Sequence, residues 1–485
     1  MSAPPSSHVF ETTATVDRSA GQPASAAAVP AAKSSSAVKS KGKAATSLDY
    51  CAIDFGTSNS AVAIPVEAPV GDASSPTMQL VQMEGAHATM PTAVFYFTDG
   101  PEHDGPPRAF GRAAMAAYVE GLDGRLMRSM KSVLGSNLIE QSTDVGGGRG
   151  VKFIDVIAGY LRHLKRLAEA QAQRPIDRAV IGRPVFFVDD DPVRDARAQA
   201  ALEEAARSVG FADVRFQYEP IAAAFDYERL APTEQIVLVA DIGGGTSDFS
   251  VVRVGPQRVS RLDRRDDILA SHGVHAAGTD FDRQIELAGL LPEIGFGSRG
   301  PMVPGGSARE VPSAVYYDLA TWHLINTVYT PQRVADLRSM RSFYGTALYH
   351  RRLMTVVTER LGHELAALAE KAKIETAEGG GAAIDLGLVE PQLTVMLTEK
   401  QAADSVEADV TRIVNAARVT VRDAGLRADQ IDALYFTGGS TGLRSLTDRI
   451  GQAFPAATVA RGDRFASVAS GLGLYAAQLF GRRKG

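Results

Sequence analysis

Residues 235–250 read QIVLVADIGGGTSDFS. A short continuous apolar run, the pattern of a strand buried on both faces, ends in Asp241. Three glycines follow, then Thr246, Ser247 and Asp248. Glycines let a backbone adopt positive φ and approach a ligand closely, so that successive N–H groups form an anion-binding concavity. The Thr246 and Ser247 hydroxyls add donors for phosphate oxygens. A carboxylate beside a polyphosphate repels it unless a cation intervenes. Asp241 therefore implies Mg²⁺, held through its own waters because magnesium dehydrates reluctantly.

Glycine triplets recur in DVGGGRG (144–150) and AEGGGAAID (377–385), without that flanking pattern, and read as loops. The stretch CAIDFGTSNSAVAI (51–64) has no triplet but the same grammar: strand, Asp54, an x-Gly turn, the hydroxyls of Thr57 and Ser58, and a second strand. The two hairpins read as an internal repeat, one copy per lobe.

The rest of the chain fits that frame. Its 485 residues exceed what one hydrophobic core supports, so at least two domains or lobes are expected. Strand-like and helix-like segments alternate from residue 48 onward, which predicts α/β architecture with sheets covered by helices. Asp191 followed by Pro192 predicts a helix start rather than a metal site. Residues 1–47, rich in Ala, Ser, Pro and Lys, are expected to be a disordered tail. A net charge of -5 supplies no attraction to nucleic acid or an anionic membrane. No apolar run approaches the ~18–20 residues that span a bilayer. The one cysteine, Cys51, excludes an intramolecular disulfide, is expected to be a buried thiol, and suits a reducing cytoplasm. His272 and His275 lack the neighbours of a metal site.

Four further stretches appear in order: FQYEPIAAAFDYE (216–228), AAGTDFD (276–282), AEKAKIE (369–375) and LYFTGGSTG (434–442). With the two hairpins, they resemble the nucleotide-binding domain of the seventy-kilodalton heat-shock chaperones, the DnaK family. That family belongs to the actin and sugar-kinase superfamily. AVIGRP (179–184) and GPQRVSRLDR (255–264) are similar to its short, YegD-type members. The resemblance covers about residues 48–480 and weakens between 283 and 345.

The resemblance implies a two-lobed actin-like ATPase fold of duplicated ribonuclease H-like domains with a nucleotide cleft between them. Lobe I would span 48–230, with a terminal helix (466–481) returning to it, and lobe II 231–465. No peptide-holding domain would follow. ATP or ADP with Mg²⁺ would bind in the cleft, and water would attack the γ-phosphate. Asp54 and Asp241 would hold the metal through water. Gly56, Thr57, Ser58 and Asn59 from one lobe, and Gly243, Gly244, Gly245 and Thr246 from the other, would bind phosphate. Glu219 and Asp248 would position the metal shell and the attacking water. Gly278, Gly438, Gly439 and Ser440 would lie along the nucleotide, with Glu370 and Lys373 at the ribose. Pro184 and the helix after Ser467 would link nucleotide state to lobe rotation. Unfolded polypeptide or a co-chaperone would be the partner.

Departures from the family pattern set further expectations. Met115, in AFGRAAM, stands where the family has its catalytic lysine, which predicts slow hydrolysis. Lys131, in RSMKSVLG, is a candidate to reach the site in its place, but reads rather as a surface lysine. Ile374 and Gly442 replace two arginines that sandwich adenine, and Phe465 replaces a nearby acid, which predicts weaker, less adenine-selective binding. A small-molecule kinase and an actin-like filament protein are alternative functions within the superfamily.

Overall fold

The computed structural model describes residues 48–66, 77–100, 107–145, 148–188, 191–302, 307–463 and 466–481. The expected tail at 1–47 and Phe465 lie outside the described residues, as does part of the 144–150 triplet.

Two sheets share one strand order. The first contains β1 (Tyr50–Phe55), β2 (Asn59–Val66), β3 (Thr77–Leu80), β4 (Arg178–Arg183) and β5 (Asp213–Tyr218), arranged β5-β4-β1-β2-β3, and Thr89–Pro91 also pairs with β2. The second contains β6 (Gln235–Ile242), β7 (Ser247–Val254), β8 (Ile268–Val274), β9 (Ala433–Thr437) and β10 (Thr458–Arg461), arranged β8-β7-β6-β9-β10. Each sheet has an antiparallel hairpin, β1–β2 or β6–β7, at its centre. Each hairpin's first strand has a parallel strand on its other side, β4 or β9, followed by another, β5 or β10. The repeat of hairpin grammar in the sequence is thus a repeat of topology.

Strand side chains alternate between faces, which explains the buried pattern. In the first sheet Cys51, Ile53, Phe55, Val62 and Ile64 pack against α2 (Phe153–Ala172) and α3 (Pro192–Ser208). In the second, Leu238, Ala240, Ile242 and Phe249 pack towards α7 (Glu399–Asp423) and α8 (Arg444–Ala453). The alternate residues Tyr50, Ala52, Val237 and Val239 share a third core with α4 (Glu219–Ala223) and α9 (Ser467–Phe480). Burying both faces of each hairpin's first strand is what the unbroken apolar runs require. Asp191 caps α3 as expected, its carboxylate accepting from the Arg194 N–H at 3.0 Å, with Pro192 in the first turn.

The short helix α4 and the longer α9 form the junction between the sheets. They begin directly after β5 and shortly after β10, so they are equivalent elements of the repeat. They cross tightly because α9 carries Gly471 opposite the Ala222 carbonyl. The Thr437 and Ser467 hydroxyls, 2.5 Å apart, tie the end of β9 to the start of α9. After Ala224 the chain continues from α4 into a second short helix, Phe225–Leu230. Residues 312–330 likewise hold two short helices, Ala314–Leu319 and Ile325–Val328.

A second junction lies farther from the sheets. Helix α1 (Gly111–Val119) packs on a three-stranded sheet that includes Ala93–Phe97 and Gly124–Arg128. Its Tyr118 stacks on Trp322 with ring centroids 4.8 Å apart, and the Arg128 guanidinium lies 4.4 Å from the same indole. The Asn326 amide donates to the Tyr118 carbonyl at 3.2 Å, and His363 meets Tyr118 edge-on. Cys51 has no exposed surface, and burial pushes its thiol up to about 12.

Candidate functional site

The strand alternation aims the two key acids. Tyr50, Ala52 and Asp54 share one face of β1, as Val237, Val239 and Asp241 do of β6, and these are the faces turned towards the junction helices. Beyond the last packed residue the apolar contact ends, and each strand presents its aspartate to a cavity of about 810 Å³. That is within the range of a small-molecule site, roughly 300–1,000 Å³. Asp248 pairs directly across the hairpin from Asp241 and so shares its face. Glu219 opens α4 immediately after β5.

Apart from Ser247, the described residues that the sequence nominated for metal, phosphate or nucleoside contact line this cavity. Gly56 closes the β1–β2 turn, where a Cβ would lie 2.3 Å from the Asn59 carbonyl oxygen. Ser58 reaches the opposite turn: its hydroxyl would sit 3.2 Å from a Cβ built on Gly244. The triplet is held from behind. Ser440 donates to the Gly243 carbonyl at 2.7 Å, and the N–H and hydroxyl of Thr279 both donate to the Gly244 carbonyl at 2.8 Å. Thr279 lies in the first turn of α5 (Gly278–Ile285).

Three readings from sequence are corrected. Gly243, Gly244 and Gly245 do not adopt positive φ; their value is close approach, and the left-handed residue of the site is Gly438, at φ 88°. A Cβ there would lie 2.6 Å from an Asp241 carboxylate oxygen. Ser247 is not a phosphate donor: it is fully buried and donates to the Ala276 carbonyl at 2.7 Å. Lys131 is not a surface lysine. Its side chain is 10% exposed, and its Nζ lies 2.5 Å from Glu219 Oε1. Met115 instead packs beside Phe95, Ala114 and Ala117 on α1.

Burial, reinforced by neighbouring carboxylates, governs the electrostatics. Burial, with the nearby charges of Glu219 and Asp241, pushes Asp54 up to about 8, against the opposing pull of Lys131. Burial, Asp248 and Glu219 push Asp241 up to about 7. Asp248 is raised mainly by the surrounding protein, although it opens towards the cleft and accepts from the Thr246 hydroxyl at 2.8 Å. Acids that hold protons near neutrality because they are buried beside one another are a site that a divalent cation would relieve. Among the described residues no three His, Cys, Asp or Glu side chains converge closely enough to grip a metal directly.

At the other end of the cavity, on α6 (Gly362–Ala377), Lys373 pairs with Asp282 at 2.6 Å. Asp282, which sequence reading passed over, is pushed up to about 6 chiefly by burial. Ile374, 52% exposed, lines the lip with Gly442 and Arg444. Pro184 lines the cavity after β4 and accepts a hydrogen bond from Arg183 Nε at 3.0 Å. His272 and His275 also lie on its wall.

Comparison with known proteins adds an independent line. Residues 51–286 match the family described as Hsp70 protein. The Chaperone protein HscA homolog of Pseudomonas fluorescens (strain SBW25) is 26% identical over 456 residues, covering 89% of this chain and 58% of that protein. The homolog of the same name from Azoarcus sp. (strain BH72) is 25% identical over 441 residues, with the same shares. The chain therefore spans 58% of the length of these relatives.

Proposed function

Since the chain belongs to the Hsp70 protein family, with an actin-like nucleotide-binding domain, we propose that it binds ATP with Mg²⁺ between its two sheets and works as a chaperone-like, slowly hydrolysing nucleotide switch. The observation that carries this reading is the placing of Asp54 and Asp241, at equivalent strand ends of a duplicated topology, on one cavity.

Asp54 and Asp241 would hold the hydrated metal, which supplies charge neutralisation at the β- and γ-phosphates. The Thr57–Asn59 turn and the Gly243–Thr246 turn approach the polyphosphate from opposite sides. Glu219 and Asp248 accept hydrogen bonds from water near its terminal end. Gly438, Gly439 and Ser440 flank the nucleoside, with Gly278, Glu370 and Lys373. Phosphoryl transfer depends mainly on such positioning and charge stabilisation. A nucleotide that bridges the two turns favours the closed cleft, and the α4–α9 junction is the hinge about which closure acts. The relatives' names speak for a chaperone role, with unfolded polypeptide or a co-chaperone as partner. No helix among the described residues is long and apolar enough to cross a membrane.

Calorimetric titration of ATP with and without magnesium, on wild type and Asp241→Ala, tests this. Binding that needs magnesium and is lost in the variant is expected; equal affinity in all four titrations refutes it.

A further inference from the structure

Seven carboxylates line the cavity among the described residues, Asp54, Glu219, Asp241 and Asp248 being those at the hairpin turns and the start of α4, and two lysines line it with them. Lys373 is committed to Asp282 beside Gly278. Lys131 stands at the acidic end. It pairs with Glu219, and its charge also acts on Asp54, Asp241 and Asp248, so it lies where the two hairpins meet.

The chain holds it there deliberately. Lys131 sits in a 3-10 turn, Met130–Val133, whose neighbours Met130 and Leu134 are anchored in the first core. The residue before the turn, Ser129, is left-handed at φ 51°, a conformation that costs a residue with a side chain some free energy. Removing an ammonium from water is unfavourable unless charged partners compensate. A staple for the turn would need one partner at the rim; this lysine faces the cavity.

We propose that Lys131 is the catalytic cation that meets the terminal phosphate of the bound nucleoside triphosphate, filling the role left open by Met115, and that Glu219 holds it in place before nucleotide enters. This rests on the nucleotide reading above. In hydrolysis, the oxygen of water bonds to the γ-phosphorus while the bond from that phosphorus to the β–γ bridging oxygen breaks. The electron pair leaves on the diphosphate and a proton passes to solvent, so ATP and water give ADP, phosphate and a proton. Lys131 is unchanged; its ammonium lies against the charge gathering on the γ-phosphoryl oxygens.

The test compares Mg·ATP and Mg·ADP affinities and single-turnover hydrolysis in wild type, Lys131→Met, Lys131→Arg and Met115→Leu. Because ADP lacks the contacted group, Lys131→Met is expected to weaken ATP binding about ten- to a hundredfold more than ADP binding. It is also expected to slow any hydrolysis by about 100- to 1,000-fold. Lys131→Arg retains part of both, and Met115→Leu changes neither. Should Lys131→Met fail to fold, the double variant Lys131→Met/Glu219→Gln, which leaves no unpaired charge, takes its place, with Glu219→Gln alone as its reference and the ATP-to-ADP affinity ratio as its readout. If wild type binds without hydrolysing, the ATP-to-ADP affinity ratio alone decides. An unchanged ratio with an unchanged rate overturns the proposal and leaves Lys131 a staple. Wild type that binds neither nucleotide overturns the nucleotide reading itself.

Discussion

A methyl group on Gly471 of α9 would lie 1.9 Å from the carbonyl oxygen of Ala222 in α4. The two helices that join the sheets thus touch backbone to backbone, where no side chain can yield. Gly471→Ala is expected to destabilise the protein by about 1–3 kcal/mol or more, read as a lower urea midpoint. Gly159→Ala in α2 is the control, since a Cβ there meets nothing within 4 Å. It should be neutral or stabilising by about 0.5–1 kcal/mol. Equal effects at the two sites would show that the crossing is not tight.

Proton linkage at the cleft has a definite sign. An unfolded aspartate titrates near about 3.9, whereas Asp54 and Asp241 are pushed up to about 8 and about 7. Between those values the native state binds more protons than the unfolded state, so the stability of the metal-free protein should fall as pH rises from about 4 to 8. Magnesium nucleotide must displace those protons, so its affinity should rise over the upper part of the same window. Melting curves at several pH values, with and without Mg·ATP, give both slopes. Asp54→Asn and Asp241→Asn should flatten the first; a slope that survives in both variants assigns it elsewhere.

Trp322 is the chain's one tryptophan and is held by Tyr118 and Arg128. Cleft opening would pull α1 away from it, so nucleotide addition is expected to change its emission. Aromatic and cation–π contacts of this kind contribute about 0.5–1.5 kcal/mol each. Tyr118→Ala should therefore speed nucleotide release by about two- to tenfold. Stopped-flow fluorescence measures both, and emission indifferent to nucleotide would place the indole outside the motion.

Ile374 presents an apolar surface at the lip where a base would lie. Ile374→Arg adds a cation that can stack on it, worth about 0.5–2 kcal/mol, or roughly two- to thirtyfold in ATP affinity. Competition between ATP and GTP measures whether the gain is selective. An arginine that weakens binding would exclude the base from this lip.

The acids were legible in the sequence because their information is local. A strand that is apolar until its last residue fixes which face the aspartate takes, and the same pattern occurs twice. Ser247 was misread although the same rule was available. It is the first residue of β7, so period-two alternation puts it on the face opposite Asp248, towards the core. The positive φ assigned to the triplet failed for a different reason: a turn pinned from behind by Ser440 and Thr279 needs space more than unusual dihedrals. Lys131 is a candidate by sequence but reads rather as a surface lysine, and its burial, like the pairing of Asp282, was not legible. Their partners, Glu219 and Lys373, are distant in sequence, and no local periodicity reports a meeting made by tertiary folding.

With its one thiol sealed inside the first core and burial holding it protonated, the folded protein is expected not to react with maleimide reagents as it stands. Cysteines introduced at an exposed position on either side of the cavity would then be the sole points of dye attachment. Energy transfer between them can report cleft width in solution without first mutating the native residue.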